Sequence, residues 1–304
     1  MLNAEFAVIG GSYAGLSAAL QLARARRDVI VVDAGLRRNR FVDEAGGTSH
    51  GFLSRDGESP GTIAKTAKEQ LLRYSTVRWL DGTAESAEQR DDGAFVLRVG
   101  EDMVTANRLV LAAGVRDELP AVEGLAERWG RCIFHCPYCH GYELDAGPIG
   151  IIASSESAQH HAVMLSDWGS PTLFLNGAYR PSDEDLASFA RRGTQVEVTP
   201  IVRIEGVADV VLADGRTLSM NGLFTQPRTY VASPIAAQLG CVLTQGPMGL
   251  FIQVDAMQQT SVLHVFACGD AARAAGNIAF AVADGAMAGV AAHRSTMFKQ
   301  GTQP

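Results

Sequence analysis

The amino-acid sequence predicts an α/β protein of two doubly wound, three-layer units, the first split around the second. Three observations predict this. A strand, glycine-rich turn, helix and strand run from Phe6 to Asp33, and a second such series starts at Pro148 and closes at Asn176-Gly177. Late in the chain, Leu263–Phe266 is a buried strand followed by Cys268-Gly269-Asp270 and a helix of small residues. Alternation of apolar strands with helical stretches is the pattern of parallel, Rossmann-like sheets.

The totals agree with a two-domain globular protein. The 304 residues leave room for two domains, and 47% apolar with 19% charged residues describes a large core. A net charge of −7 with no basic run excludes a nucleic-acid surface. Five cysteines in a chain of this size do not form a secreted disulfide scaffold. No apolar run approaches a membrane span, and a strand pattern that begins at Phe6 leaves the expectation of no secretory leader and a cytoplasmic protein.

In the first unit, the buried strand Phe6–Ile9 meets Gly10-Gly11-Ser12-Tyr13-Ala14-Gly15. A helix then carries Leu16, Ala19, Leu20 and Ala23 on one face, and Val29–Val32 forms a strand ending at Asp33. A carboxylate about 18 residues beyond the last turn glycine is the dinucleotide-binding spacing. Gly10 permits a tight turn, Gly15 lets helix and strand pack closely, and Asp33 can accept from ribose hydroxyls. Ser12 replaces the middle glycine of the pattern; it is small, and its hydroxyl can donate to phosphate.

Residues 37–61 are polar and glycine-rich, and include Ser49-His50-Gly51-Phe52; a loop of this length is either a surface excursion or a functional segment. Ile63–Tyr74 has helical spacing. Val77–Leu80, Phe95–Val99 and Met103-Val104 read as a meander, and Leu109–Leu111 as a separate buried strand ending in Ala112-Ala113-Gly114. Small residues there let a cofactor approach the backbone. Asp117–Pro120 and Gln226-Pro227-Arg228 read as crossings between domains, which assigns 1–117 and 228–304 to one domain and 118–227 to the other.

In the second unit, Pro148–Ile152 enters the turn Ala153-Ser154-Ser155-Glu156-Ser157-Ala158. A nucleotide-binding turn has glycine where Ala153 and Ser155 stand, and Glu156 adds negative charge where a helix N-terminus receives an anion. The next strand, Thr172–Leu175, ends at Asn176-Gly177, with no carboxylate for a ribose and no arginine pair for a 2′-phosphate. Val196–Val198, Val202–Ile204 and Val210–Leu212 alternate around Asp214-Gly215 as a hairpin.

Ahead of this unit stands Cys136-Pro137-Tyr138-Cys139-His140-Gly141-Tyr142-Glu143. Two cysteines at this spacing close a small disulfide ring on a helical turn, whose N-terminus favours the thiolate. Zinc sites use the same spacing, so Cys132, Cys136, Cys139 and a flanking histidine form an alternative reading.

These residues together resemble the low-molecular-weight thioredoxin reductases over nearly the whole chain. Cys-Pro-Tyr-Cys-His-Gly-Tyr-Glu with His50-Gly51-Phe52 is similar to a branch that includes dithiol oxidases closing disulfides in natural products of the gliotoxin and holomycin type. The resemblance implies FAD as cofactor, a discontinuous FAD-binding domain and an inserted, degenerate NAD(P)-type domain carrying the redox pair. It implies cofactor contacts at Gly10, Ser12, Tyr13, Ala14, Gly15, Asp33, Ala34, His50, Ala113, Gly114, Gly269, Asp270, Asn277 and Ile278. It also implies that Cys139 faces the flavin while Cys136 exchanges with substrate, a small dithiol or a thioredoxin-like protein, and that the protein is a homodimer. Loss of the NADPH site and use of oxygen characterise the branch, in accord with the altered turn at 153–158.

The aspartate that the reductases carry after the second cysteine is His140 here. His140 is a candidate acid or base, and Glu143, three residues on, a candidate to orient it. Each also has a bland reading, as a surface or zinc-ligand histidine and a solvated first-turn carboxylate. Cys132, Cys241 and Cys268 read as structural. Three rivals stay open beside the dithiol oxidase: an NADPH-driven thioredoxin reductase, a ferredoxin-driven one, and a zinc-stabilised flavin-binding module without turnover.

Overall fold

The computed structural model describes residues 1–298. The chain forms two compact units: Met1–Arg40, Pro60–Arg116 and the chain from Thr229 onward make the first, Phe41–Ser59 and Asp117–Arg228 the second. Among the described residues no helix is long and apolar enough to cross a membrane.

The first unit is built on a seven-stranded sheet. Val77–Asp81, Val29–Asp33, Leu2–Ile9 and Asp102–Leu111 lie side by side in that order, all parallel. The apolar runs Phe6–Ile9, Val29–Val32 and Leu109–Leu111 at its centre are buried on both faces, as a parallel sheet between helices requires. Asp102–Leu111 serves two neighbours on its far side: its first half pairs antiparallel with Phe95–Val99, and Leu109–Leu111 pairs in parallel with Val265–Ala267.

Two expectations change here. Val77–Leu80 is an edge of the parallel sheet and lies outside the meander, in register with Val29–Val32. Met103-Val104 and Leu109–Leu111 are one unbroken strand. Asn107-Arg108 interrupts the apolar run and looks like a break, yet the Arg108 guanidinium is satisfied by Ser295, donating to its Oγ at 2.6 Å and its carbonyl at 2.7 Å.

The helix Tyr13–Arg24 covers one face of this sheet and packs on Ile278–Arg294. The two backbones touch where Gly285 and Gly289 stand. A Cβ at Gly285 would lie 2.1 Å from the Ala14 carbonyl oxygen, and one at Gly289 2.5 Å from that of Ala18.

The second unit has a five-stranded parallel sheet in the order Gln195–Glu197, Ser170–Phe174, Pro148–Ile152, Gly222–Thr225, Ile133–Phe134. Gln195–Glu197 closes this sheet and does not join the hairpin. Ile201–Glu205, Asp209–Leu212 and Thr217–Ser219 form a separate antiparallel sheet turning at Asp214-Gly215. The helix Asp183–Arg191 starts in a capping box, Ser182 Oγ accepting from Asp185 N while Asp185 accepts from Ser182 N. Residues 41–59, within 1–117 in the linear division, belong to this second unit. Phe41 packs against the cluster containing Leu125 and Trp129, and a Cβ at Gly130 would meet Phe41 at 2.8 Å.

Candidate redox site

Cys136 and Cys139 form a disulfide with their Cα atoms 5.3 Å apart. Cys136 is the N-cap of a helix that spans only Pro137–His140, with Pro137 at its first position, where a missing N–H costs nothing. The turn is pinned by Cys139 N donating to Cys136 O at 3.2 Å and Gly141 N to Pro137 O at 2.6 Å. A single turn sums few peptide dipoles, so the thiolate-stabilising helix end expected from the sequence is short. Gly141 is required by the neighbouring Trp168, whose ring a Cβ there would meet at 2.6 Å. The same Trp168 holds Tyr138 edge-on, with ring centroids 5.2 Å apart.

His140 and Glu143 part company. The His140 ring lies flat on Phe134, centroids 4.2 Å apart and planes within 4°, with both nitrogens buried and without a hydrogen-bond partner. Burial, and after it the nearby His50, lower its pKa to about 4, so the ring is neutral at pH 7. Glu143 turns to His50 instead: its Oε1 is 3.3 Å from His50 Nε2. Thr48 Oγ1 meets the same nitrogen at 2.9 Å, and Asp56 Oδ1 lies 3.8 Å from His50 Nδ1. A Cβ at Gly51 would come within 4.0 Å of the Tyr138 carbonyl, which sets this loop against the residue between the cysteines. His50, expected beside a cofactor, thus stands in the second unit by the disulfide; burial of Phe41, distant in sequence from the cysteines, brings its loop there.

Cys132 does not join the pair; its Sγ donates to Val207 O at 2.8 Å. Among the described residues no group of three or more His, Cys, Asp or Glu side chains is arranged to hold a metal ion. Cys268 is fully buried, and burial with the nearby Asp284 pushes its thiol up.

In the first unit, Gly10 has φ +107°, and a Cβ there would strike the Ala112 carbonyl at 2.3 Å. A Cβ on Gly15 would lie within the radius of Gly10 O. Ser12 caps the helix without a side-chain bond, and Gly11 N donates to Asp33 Oδ1 at 3.0 Å. Beside them opens a cleft of about 240 Å³ lined by Gly11, Ser12, Asp33, Gly35, Arg37, Lys65 and Lys68. Ala34 is exposed beside this cleft's Gly35, and Ala113 borders a small apolar void with Ile9 and Leu111. Gly114 has φ +71° with open space where a side chain would be. Asp270 is paired with Arg38 at 2.8 Å, and a Cβ on Gly269 would meet Ala14 Cβ at 2.8 Å. Asn277 caps the last helix by accepting from Phe280 N at 2.8 Å, ahead of Ile278. The Tyr13 hydroxyl is spent on structure, donating to Pro60 O and accepting from Asn39.

Residues 4–288 match the model of the pyridine nucleotide-disulphide oxidoreductases. The chain is a member of that family. It is similar to the thioredoxin reductase sirT of Leptosphaeria maculans, 32% identical over 93% of this chain and 91% of the relative. Among solved structures it is similar to an oxidoreductase from Agrobacterium tumefaciens, with 53% identity, a TM-score of 0.94, and 98% and 100% of the two chains covered. It is also similar to HlmI, at 32% identity and TM-score 0.87 over 97% of this chain and 92% of that one.

As in this family, the protein is a thioredoxin-reductase-like flavoprotein disulfide oxidoreductase whose cofactor is FAD. The first-unit cradle fits that group. The Gly10–Gly15 turn is closed to side chains, the amides of Ala14 and Gly15 meet no backbone acceptor among the described residues, and Asp33 stands at the ribose distance in sequence. Arg37, Lys65 and Lys68, which line this cleft, went unforeseen. Their signal was the Arg37-Arg38 pair just after Asp33 and two lysines three apart on one helix.

The turn at 153–158 in the second unit is polar and acidic. Ser154 Oγ donates to Gln226 O at 2.6 Å, and Glu156 is exposed. Gln159 bridges Glu156 to Asp185, at 3.4 Å to each. Burial and the carboxylates of Asp185 and Glu156 push the Tyr179 hydroxyl up to about 12. Asn176 spends its Oδ1 on Ile201 N at 2.9 Å. The Arg216 guanidinium is taken by Glu197 and Asp214, at 2.8 and 2.7 Å.

Proposed function

We propose that this protein oxidises dithiols through the Cys136–Cys139 disulfide and FAD, with molecular oxygen as final electron acceptor and without NADPH. The observation that carries the reading is the pair of carboxylates at the second unit's turn, where Glu156 is exposed and Gln159 bridges it to Asp185 at 3.4 Å to each. A pyridine nucleotide brings a pyrophosphate and needs positive or neutral donors there. The disulfide, in contrast, sits on a turn fully supported by Trp168 and Phe134.

The chain's own chemistry balances as a thiol–disulfide exchange. A substrate thiolate attacks Cys136 Sγ, the bond to Cys139 breaks, and Cys139 leaves as thiolate. The second substrate thiol attacks the substrate sulfur of the mixed disulfide, so the substrate leaves with an S–S bond and the enzyme keeps two reduced cysteines. FAD would be held by the Gly10–Gly15 turn and Asp33, and it would supply the two-electron acceptor through which the cysteine pair returns to its disulfide. His140, neutral and stacked on Phe134, shapes an apolar wall beside the pair.

Anaerobic mixing of the holoprotein with excess NADPH or NADH, followed by its flavin absorbance, tests the reading. The expected result is no bleaching with either nucleotide, bleaching with a dithiol, and recovery in air. Prompt bleaching by NADPH restores a thioredoxin reductase. Failure of both donors points to a protein donor such as ferredoxin.

A further inference from the structure

Two imidazoles stand by the turn that carries the disulfide, His140 next to Cys139 in the chain and His50 beside Gly51, which faces the Tyr138 carbonyl, and their surroundings differ in kind. His140 is walled off: stacked on Phe134, with neither nitrogen bonded. His50 is wired. Its Nε2 faces Glu143 Oε1 at 3.3 Å and Thr48 Oγ1 at 2.9 Å, and its Nδ1 faces Asp56 Oδ1 at 3.8 Å. Asp56 is itself fixed, accepting from Gly51 N at 2.7 Å. Arg55 and Glu58, on the same loop, close on each other at 3.0 Å.

A carboxylate at Nε2 selects the tautomer with its proton there, Glu143 and Thr48 both accepting, and leaves the Nδ1 lone pair open. When Nδ1 gains a proton, Asp56 stands as its acceptor. The ring is therefore oriented by one carboxylate and receives charge towards the other, the arrangement that general bases use. Its side chain is 21% exposed, so a proton can reach it from a thiol or from solvent.

We propose that His50, oriented by Glu143, takes up the proton of the attacking thiol in exchange at Cys136–Cys139, and that His140 does not. The inference rests on the Cys136–Cys139 pair being the exchange site, and it deepens the reading above. In the forward step R–SH gives its proton to His50 Nδ1, the thiolate sulfur bonds to Cys136, and the Cys136–Cys139 bond electrons leave with Cys139. The imidazolium then returns the proton to solvent or to the leaving sulfur. No further oxidant or reductant enters this step.

The test is anaerobic stopped-flow mixing of holoprotein with dithiothreitol, following flavin bleaching from pH 6 to 10 in wild type, His50→Gln and Glu143→Gln. FAD content and thermal unfolding are measured alongside. His50→Gln is expected to slow bleaching on the order of 10²-fold at neutral pH, with the loss shrinking as the reagent thiol ionises unaided at high pH. Glu143→Gln should show the same pH signature at smaller size. A loss equal at every pH, or no loss with FAD intact, overturns the role of His50. Admitting air to the wild type separates the two readings: bleaching without recovery defeats oxygen as acceptor and leaves His50 standing. A wild type that dithiothreitol cannot bleach defeats both.

Discussion

Arg38 donates to Asp270 at 2.8 Å across a sequence separation of 232 residues, with both side chains mostly buried. This bond joins the segment after Asp33 to the Gly-Asp that follows the last strand of the first unit. It ties together two pieces of a sheet that the second unit interrupts. Arg38→Ala should leave Asp270 a mostly buried carboxylate without this partner and cost about 1–3 kcal/mol. The check is FAD retention on gel filtration together with the urea midpoint, both of which should fall.

Cys139→Ser removes one sulfur of the disulfide and leaves every residue of the first-unit cradle unchanged. The purified variant should therefore keep the yellow colour and full FAD content while dithiol oxidation disappears. Undiminished turnover in that variant, measured by oxygen uptake, would end the dithiol model.

Gly285→Ala places a methyl 2.1 Å from the Ala14 carbonyl oxygen, at the contact between the first and last helices of the first unit. Backbone cannot rotate away as a flexible side chain can. The expected cost is about 3 kcal/mol, at the upper end of overpacking effects. Loss of FAD on dialysis should accompany a lowered unfolding midpoint.

His161 is 3% exposed, and burial, helped by His160, lowers its pKa to about 4 against an ordinary 6.5. The unfolded chain therefore binds a proton below pH 6.5 that the folded protein refuses until about pH 4. Stability from this group is full above pH 6.5, falls between 6.5 and 4, and levels off below, by on the order of 3 kcal/mol. Urea titrations across this window should show a shallower decline for His161→Gln than for wild type.

Much of the fold was legible because parallel strands buried on both faces must be continuous apolar runs, and Val29–Val32, Pro148–Ile152 and Leu109–Leu111 are such runs. Pairing partners were less legible. Val77–Leu80 alternates like a meander strand, and only its alignment with Val29–Val32 makes it an edge of the parallel sheet. Val196 likewise pairs with Leu173 and stays out of the hairpin that its composition suits.

The sequence by itself determined the local elements: a Cys136-Pro137-Tyr138-Cys139 pair spaced for a disulfide or a zinc site, a glycine turn from Gly10–Gly15 with Asp33, and a second turn with Ala153 and Ser155 where glycines were expected. Each is local, fixed by spacing within a turn or one strand–helix unit. Tertiary structure alone decided which side chains meet. His140 and Glu143 share a short stretch, but a single helical turn followed by a 3₁₀ turn sends one ring onto Phe134 and the carboxylate to His50. Nothing in the spacing encodes that choice, because it follows from burying Phe41 beside Trp129, which carries the loop with His50 into the second unit.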